Sequence, residues 1–439
     1  MPATVVSSIN KKAAFLNNPY ERPSVRNYAL VILTLVYTFN FIDRQLLSIL
    51  QEAIKADLVL SDAQLGLLTG FAFAMFYVTA GVPIARLADR SNRKNIVAAS
   101  VGLWSFMTTV SGFVQNYSQL LLARIGVGVG EAGGSPPSHS IVSDIYPKEQ
   151  RASALSFYST GVNLGIMFGF LFGGWLNEFF GWRVAFLVVG IPGIILGGVV
   201  YATVPEPVRG LLENKKVTDA HVAFMEVVSG LWQRKTFRHM ALACGLNAFA
   251  GYGTVNWLAS FFIRSHEMTT GELGTWLALS TGLAGAVGIF VGGLLGDRLG
   301  SKDKRWYLWV PGLSTLLVVP GMLVVLLSSN TYLALVCMFV PGFLQNIYLG
   351  NSIATTHNLV GLRWRSTSSA ILFLILNIIG LGMGPFTVGL LSDFFDPSFG
   401  VESLRYAMLA VLPTACVWSS IHFYLASRSL KADLERAPD

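Results

Sequence analysis

Apolar runs of about twenty residues alternate with short polar segments along almost the whole chain. A helix that crosses the roughly 30 Å hydrocarbon layer of a membrane needs about 20 such residues, because it rises about 1.5 Å per residue. The pattern therefore predicts an all-α polytopic membrane protein. By length alone we place twelve transmembrane helices, near residues 27–51, 62–86, 95–114, 118–145, 150–179, 183–204, 238–263, 271–296, 305–328, 331–360, 366–392 and 402–427.

The composition agrees with a membrane protein and excludes a large soluble one. Of the 439 residues, 53% are hydrophobic and 13% are charged, against about 25% charged residues in soluble domains. The net charge of +7 does not indicate nucleic-acid binding, because the basic residues lie in short loops between apolar runs. Cys244, Cys337 and Cys416 stand alone in apolar runs, without the spacing of a disulfide framework or a metal site. We therefore expect no metal, no cofactor and no nucleic-acid partner.

Basic residues are concentrated in the loops on one side of the predicted bundle. The other side carries only Lys55, Arg183, Arg264 and Arg405. Because positive loops stay in the cytoplasm, both termini are predicted to be cytoplasmic. The polar first 26 residues lack the apolar core and cleavage site of a signal peptide. Short loops and a short tail favour a bacterial inner membrane.

The second half of the chain repeats features of the first half at slowly growing offsets. Gln64-Leu65-Gly66 recurs as Glu272-Leu273-Gly274 after 208 residues, and Arg151 recurs as Arg365 after 214 residues. Such offsets are expected of a duplicated six-helix unit, with a central cavity between two parallel halves. We divide the chain into a tail, an N-terminal bundle, a cytoplasmic linker, a C-terminal bundle and a second tail, at residues 1–26, 27–204, 205–237, 238–428 and 429–439.

Four ionisable residues lie inside predicted membrane helices: Asp43 and Arg44 in the first, Arg124 and Glu131 in the fourth. A charge there costs ~2.5–3.5 kcal/mol on insertion scales, so its presence needs a reason. Arg124 and Glu131 are seven residues apart, which places both on one helix face. The proton affinity of a buried carboxylate depends on which neighbour is close. The group therefore predicts proton coupling through Asp43 and Glu131, and a permanent salt-bridge lock is the alternative.

The seventh and tenth predicted helices carry amides and aromatic residues in place of charges. An ionic first half that faces such a second half suits an amphipathic substrate, with its charged head at one of the two arginines. Ordinary hydrogen bonding between helices is the alternative for any single amide. The predicted substrate-binding residues are Arg44, Arg124, Asn247, Tyr252, Asn256, Trp257, Gln345, Asn346 and Tyr348.

Two loops carry a recognisable pattern. The run Ala85-Arg86-Leu87-Ala88-Asp89-Arg90-Ser91-Asn92-Arg93-Lys94 resembles the G-x-L-A-D-R-x-G-R-K/R signature of the major facilitator superfamily, with Ala85 and Asn92 where the signature has glycines. A second copy runs from Gly293 to Lys302 in the other half. The resemblance implies two pseudo-symmetric six-helix bundles, a cavity lined by helices 1 and 4, and alternating access. It also implies a gating latch on the cytoplasmic side, to which we assign Asp89, Arg90, Arg93, Asp144 and Arg151.

Two further motifs point to one branch of that superfamily. Asn40-Phe41-Ile42-Asp43-Arg44-Gln45 and the run from Ala123 to Ala132 resemble the Spinster-like branch. Its members are associated with export of sphingolipids and lysophospholipids, including sphingosine-1-phosphate. This resemblance implies a secondary transporter of an amphipathic lipid. We expect a monomer whose partners are membrane lipids, protons and the small-molecule substrate.

Gly161, Gly165, Gly169 and Gly173 recur every fourth residue on the fifth helix. Such a stripe of small residues predicts close helix packing, and we expect it to let this helix rock against the other half.

Other functions remain open at this point. A proton-coupled organic-anion or drug transporter is the alternative within the transporter class, and a lipid-regulated membrane receptor is the alternative outside it. An enzyme is disfavoured, because the sequence shows no Ser/His/Asp set, no HExxH and no paired metal ligands.

Overall fold

A computed structural model describes residues 18–209, 224–361 and 364–436. Parts of the predicted tails and linker, at residues 1–17, 210–223 and 437–439, lie outside the described residues. Within the described ranges the chain is helical and contains no strand. This confirms the predicted all-α fold.

The first half contains six long helices. These are α1 (Pro23–Leu58), α2 (62–90), α3 (Arg93–Ser111), α4 (117–145), α5 (Lys148–Phe180) and α6 (Trp182–Thr203). Helix α4 consists of Tyr117–Glu131 and Ser135–Ile145, with the regular hydrogen bonding interrupted between them. The interruption lies where the sequence has Gly133 and Gly134 before Pro136 and Pro137, and proline removes a backbone donor.

The second half repeats the arrangement. Its helices are α7 (Lys235–His266), α8 (Thr270–Gly300), α9 (Trp306–Leu327), α10 (Thr331–Asn358), α11 (365–399) and α12 (Ser403–Glu435). A short linker helix, Phe224–Trp232, precedes α7. Helix α12 runs past residue 428, where the predicted bundle ends, because the Asp433 carboxylate accepts the Thr236 backbone N–H at 2.8 Å. The last turns of α12 are thereby packed on the start of α7.

Length and apolarity alone identify eight membrane-crossing stretches among the described residues, and one of them, Thr367–Glu435, covers both α11 and α12. The three long helices outside these stretches are α3, α4 and α7. Each carries polar or charged residues, such as Arg93, Arg124 and Arg264. The twelve predicted helices are therefore present.

The two halves are built alike. In the first half α1 packs along α5, and in the second half α7 packs along α11. Between the halves, α2 meets α11 and α5 meets α8. We call the side with loops 59–61, 112–116 and 267–269 the distal side. The proximal side is the opposite one, where both described chain ends lie.

The glycine stripe on α5 faces a different partner from the one predicted. A Cβ added at Gly161 would lie 2.8 Å from the Thr34 carbonyl oxygen, and one at Gly165 would lie 2.5 Å from the Thr38 carbonyl oxygen. Gly169 and Gly173 meet α1 in the same way. The expectation that the stripe rocks against the other half is therefore wrong. It packs α5 on α1 within one half, because the stripe's face is set by tertiary packing that residue spacing does not reveal.

Other glycines make the contacts between the halves. A Cβ on Gly66 would lie 2.6 Å from the Pro385 carbonyl oxygen, and one on Gly70 would lie 2.8 Å from that of Gly382. On the α5–α8 side, Gly274 faces the Phe170 backbone in the same manner. At both crossings the backbones of the two halves touch without intervening side chains.

Replacing Gly165 by Ala should lower the melting temperature of the detergent-solubilised protein. The added methyl group must push α5 from α1, and overpacking of this kind costs about 1–3 kcal/mol. Gly198→Ala on α6 is the matched control, because its Cβ would meet nothing within 4 Å. An equal melting temperature for both variants would contradict the assigned α1–α5 contact.

Candidate functional site

A pocket lies between the two halves near the middle of the helices. Its cavity volume is about 30 Å³, and the empty space around it amounts to about 400 Å³ when the part open to the outside is included. Four of the predicted substrate-binding residues, Arg44, Arg124, Tyr252 and Asn256, line it. The complete lining is Phe41, Arg44, Gln45, Ser48, Thr69, Phe73, Arg124, Tyr252, Val255, Asn256 and Leu381.

Arg44 forms an ion pair with Glu131 across α1 and α4. Both the Nε and the Nη2 of Arg44 lie 2.7 Å from Glu131 Oε2. The Arg44 guanidinium also lies 4.9–5.2 Å from the ring centroids of Phe41, Phe73 and Tyr77. Cation–π contacts of this kind strengthen when water is excluded. The Arg44 side chain keeps 13% exposure to the pocket, whereas Glu131 is fully enclosed behind it.

Arg124 forms a second ion pair with Asp43. The Arg124 Nη1 lies 3.3 Å from Asp43 Oδ1, and the Thr108 hydroxyl donates a hydrogen bond to the other carboxylate oxygen. Both charged side chains are almost completely buried. The neighbours Asp43 and Arg44 therefore pair with different residues, as expected for adjacent positions that point about 100° apart on a helix.

Glycines allow α4 to bring these charges close to the neighbouring helices. A Cβ on Gly130 would lie 2.7 Å from the Trp104 backbone nitrogen of α3. One on Gly128 would lie 3.1 Å from the Phe73 carbonyl oxygen of α2. The glycine-rich run around Glu131 therefore sets how deeply α4 enters the bundle.

The two pairs leave polar atoms unused. Among the described residues, Glu131 Oε1 and Arg124 Nε are buried and have no hydrogen-bond partner. Two carboxylates and two guanidinium groups sum to zero charge, so one added proton on a carboxylate changes the charge of the whole cluster. The arrangement can thus bind a proton, an anion or both.

The remaining predicted substrate-binding residues lie away from the pocket lining. Asn247 accepts hydrogen bonds at Oδ1 from Thr315 at 3.0 Å and from Gln345 at 3.1 Å. Trp257 is fully buried and donates to the Pro385 carbonyl oxygen at 2.8 Å. These contacts join helices within the second half. They match the alternative of ordinary hydrogen bonding between helices.

Asn346 and Tyr348 are half-buried on α10. Asn346 Nδ2 donates to the Gly342 carbonyl oxygen of its own helix at 3.1 Å. Tyr348 packs against the apolar cluster at the proximal end of the second half. Neither residue belongs to the pocket lining.

Sequence reasoning missed several lining residues. Ser48 follows Arg44 by four positions on α1, so helical spacing could have included it, whereas Gln45 is the next residue after Arg44 and points about 100° away from it. Thr69, Phe73 and Leu381 stand in apolar runs without any distinguishing signal.

The predicted gating residues lie on the proximal side. Arg93 contacts Asp144 at 2.5 Å and Glu206 at 2.9 Å, and it donates to the Pro207 carbonyl oxygen at 2.9 Å. Sequence reasoning missed Glu206, which lies in the linker and has no periodic pattern around it. Arg90 is exposed, and Arg151 is half-buried near the start of α5. The side chain of Asp89 lies outside the described part of the structure.

On the distal side of the pocket, α1 and α7 are joined along consecutive turns. The Ser48 hydroxyl donates to Asn256 Oδ1 at 2.9 Å, and the Ser260 hydroxyl donates to Gln51 Oε1 at 3.3 Å. The first pair is 208 residues apart, which equals the offset of the sequence repeat. Near-equivalent positions meet in this way at the axis that relates two halves.

A cluster of charges closes the distal end, and we call it the distal latch: Glu52, Lys55, Asp62, Arg264 and Asp393. Arg264 binds Glu52 at 2.7 and 2.9 Å and Asp62 at 2.6 and 2.7 Å. The Asp393 carboxylate accepts the backbone N–H groups of Asp62 and Ala63 at 2.9 and 2.8 Å. It thereby caps the N-terminus of α2, where negative charge is favoured.

Comparison with known proteins identifies the family. The model of the Major Facilitator Superfamily matches residues 33–385. The chain belongs to this superfamily. It is therefore a membrane transporter rather than an enzyme, and the two-bundle fold is the fold of that superfamily.

Several relatives match most of the chain. An MFS-type efflux pump of Mycolicibacterium smegmatis is 32% identical over 92% of this chain and 94% of its own length. A probable galactarate/D-glucarate transporter of Bacillus subtilis is 27% identical over 74% of this chain and 76% of its own. Protein spinster homolog 3 of Danio rerio is 25% identical over 94% of this chain and 87% of its own.

A solved structure confirms the predicted branch. It is the crystal structure of a bacterial homolog of the human lysosomal transporter Spinster in an inward-facing, unoccupied conformation. The two chains are 31% identical and superpose with a TM-score of 0.83, over 94% of this chain and 98% of that one.

Replacing Arg264 by Ala should open the distal side. The change leaves Glu52 without its counter-ion and leaves Asp62 with Lys55 alone, at 2.6 Å. Breaking a buried pair in this way costs about 3–5 kcal/mol. A cysteine at Asn256 in a background without native cysteines should then react about tenfold faster with a membrane-impermeant maleimide added distally.

The control for this measurement is Arg405→Ala. Arg405 pairs with Glu402 at 2.6 Å within the second half, so its loss should leave the labelling rate unchanged. Equal labelling rates for the Arg264 and Arg405 variants would show that the distal latch does not hold the halves together.

Proposed function

We propose that this protein is a proton-coupled secondary transporter that moves an amphipathic anionic lipid, of the sphingolipid or lysophospholipid kind, by alternating access. The observation that carries the proposal is the Arg44–Glu131 pair at the pocket wall. Glu131 has one oxygen bound to Arg44 and one oxygen without a partner. A substrate anion that binds Arg44 would compete directly with this carboxylate.

The proton coupling follows from that competition. When an anion draws Arg44 away, the enclosed Glu131 carboxylate loses its counter-ion, and burial then favours its protonated form. When the anion leaves, Arg44 returns and the proton is released. Asp43 is coupled to the same cluster, since its partner Arg124 lines the same pocket. Substrate and proton are therefore linked through shared guanidinium groups.

The amphipathic character of the substrate follows from the lining. Arg44 and Arg124 provide the cationic part of the wall. Phe41, Val255 and Leu381 provide apolar surface in the same pocket. An amphipathic substrate satisfies both parts of the wall, because its anionic head contacts the arginines and its hydrocarbon part contacts the apolar residues. The similarity to a sphingosine-1-phosphate transporter of Danio rerio, 24% identical over 92% of this chain, supports this choice of substrate class.

A second candidate is the transport of a small organic anion. It is favoured by the relation to a probable galactarate/D-glucarate transporter, and the efflux-pump relative favours movement out of the cell. Both candidates use the same guanidinium groups, so the difference between them lies in the apolar part of the ligand.

The proposal also includes an orientation. Both termini lie in the cytoplasm of a bacterial cell in this proposal, and the basic loops on the proximal side support that orientation. Among the described residues, the hydrogen bonds and ion pairs that join the halves lie at or beyond Ser48–Asn256 on the distal side. The conformation would then be closed to the outside. The proximal cluster around Arg93 would act as the cytoplasmic gate, with residues 205–237 as a link between two bundles.

Replacing Glu131 by Gln should abolish the dependence of transport on a pH gradient while substrate binding is kept. Glutamine has nearly the same shape but cannot take up and release a proton. The measurement uses purified protein in liposomes, with lysophosphatidic acid and galactarate as alternative substrates, with and without an imposed gradient.

Glu435→Gln serves as the control, because this residue is exposed near the end of α12. Gradient-driven movement of either substrate by the Glu131 variant would contradict the proposed proton site. If the wild-type protein binds lysophosphatidic acid but moves neither substrate under any gradient, it is a receptor and not a transporter.

A further inference from the structure

Gln45 is a pocket residue without a visible partner. It lies on α1 directly after Arg44, lines the central pocket and is only 7% exposed. Its Oε1 atom is buried and accepts no hydrogen bond from the described residues. Buried polar groups in folded proteins are nearly always hydrogen-bonded. An exception inside a transport pocket indicates a group that is kept for a ligand.

A second unused atom lies on the same wall. Arg124 Nε is buried and has no hydrogen-bond partner, although the other end of this side chain contacts Asp43. By contrast, Ser48 and Asn256 in the lining bond to each other at 2.9 Å, and Thr69 donates to the Leu65 carbonyl oxygen at 3.0 Å. Among the fully buried side-chain atoms of this wall, the free acceptor is therefore on Gln45 and the free donor is on Arg124.

We propose that Gln45 is a specificity-determining residue, whose side-chain oxygen accepts a hydrogen bond from a hydroxyl or amine next to the anionic group of the substrate. Arg124 Nε and Arg44 bind the anion itself. The substrate class is therefore narrower than amphipathic anions in general: an anion that carries a hydrogen-bond donor close to its charge. This inference rests on the proposed function, since it places the substrate in the same pocket.

Packing holds Gln45 in place for this task. A Cβ added at Gly169 of α5 would lie 2.8 Å from the Gln45 Cβ, so α5 presses directly on the base of the side chain. The backbone of α1 cannot shift there without disturbing the contact with α5. The free oxygen therefore has a defined position, as a specificity contact requires.

The test compares ligands that differ only in the donor. Lysophosphatidic acid is paired with its 2-deoxy analogue, which keeps the phosphate and the acyl chain but lacks the hydroxyl. Galactarate is paired with adipate, the six-carbon dicarboxylate without hydroxyls. The dissociation constants are measured with the purified full-length protein in detergent. The wild type should bind the hydroxylated member of at least one pair about tenfold more tightly, the effect of one good hydrogen bond.

Gln45→Met should remove this preference and keep the affinity for the member without hydroxyls, because methionine fills the same volume but accepts hydrogen bonds only weakly. Gln45→Glu should keep the preference, since it retains the acceptor, and should weaken binding of both members by charge repulsion. A purely structural role of Gln45 predicts neither result. Melting temperatures of both variants show that they are folded.

Gln51→Met is the matched control. It makes the same chemical change on the same helix, at a fully buried glutamine outside the pocket lining. This variant should keep the wild-type ratio of affinities.

Two outcomes separate the proposals. Equal affinities of the wild type for both members of a pair that binds, or an unchanged ratio in Gln45→Met, overturns the role of Gln45 and leaves the proposed function standing. Failure of the wild type to bind any of the four probes overturns both.

Discussion

Two ion pairs held away from water are the constraint on which the rest of this structure depends. Isolated charges in a membrane interior are costly, so Arg44–Glu131 and Arg124–Asp43 must stay paired or exchange partners in a coordinated way. The glycines of α4 and the aromatic residues around Arg44 serve this requirement. The cluster is neutral only when all four side chains carry their charges. An anion or proton that arrives therefore changes the electrostatic energy of both α1 and α4.

The contacts that join the two halves on the distal side are the counterpart of this cluster. They are strongly ionic at the outer end, where Arg264 binds two carboxylates, and they are neutral hydrogen bonds nearer the pocket. Polarity therefore decreases from the membrane surface to the centre and rises again at the pocket. Ser48, Gln51 and Glu52 of α1 each have a partner on α7, and this series of contacts begins at the edge of the pocket. The hydrogen bonds and ion pairs between α1 and α7 therefore end at the pocket.

Much of the fold could be predicted, because membrane helices are specified by length and apolarity and the repeat is visible in residues such as Gln64 and Glu272. The four charged residues were also identifiable, since each stands out in its apolar run. Which acid pairs with which base was not, because that depends on the distance between α1 and α4. The stripe around Gly165 shows the same limit: spacing reveals a contact face but not the helix that it meets. Asn247 and Trp257 have the composition of site residues, yet they bond within their own half.

The bare backbone crossings at Gly66, Gly70 and Gly274 have an energetic consequence. Surfaces without side chains have no rotamers to exchange and no charges to separate when one half turns on the other in the proposed cycle. These glycine contacts lower the energy barrier to rotation of one half against the other, but they stabilise neither end state. The balance between the end states must therefore be decided elsewhere, by the charges at the two ends and in the middle of the helices.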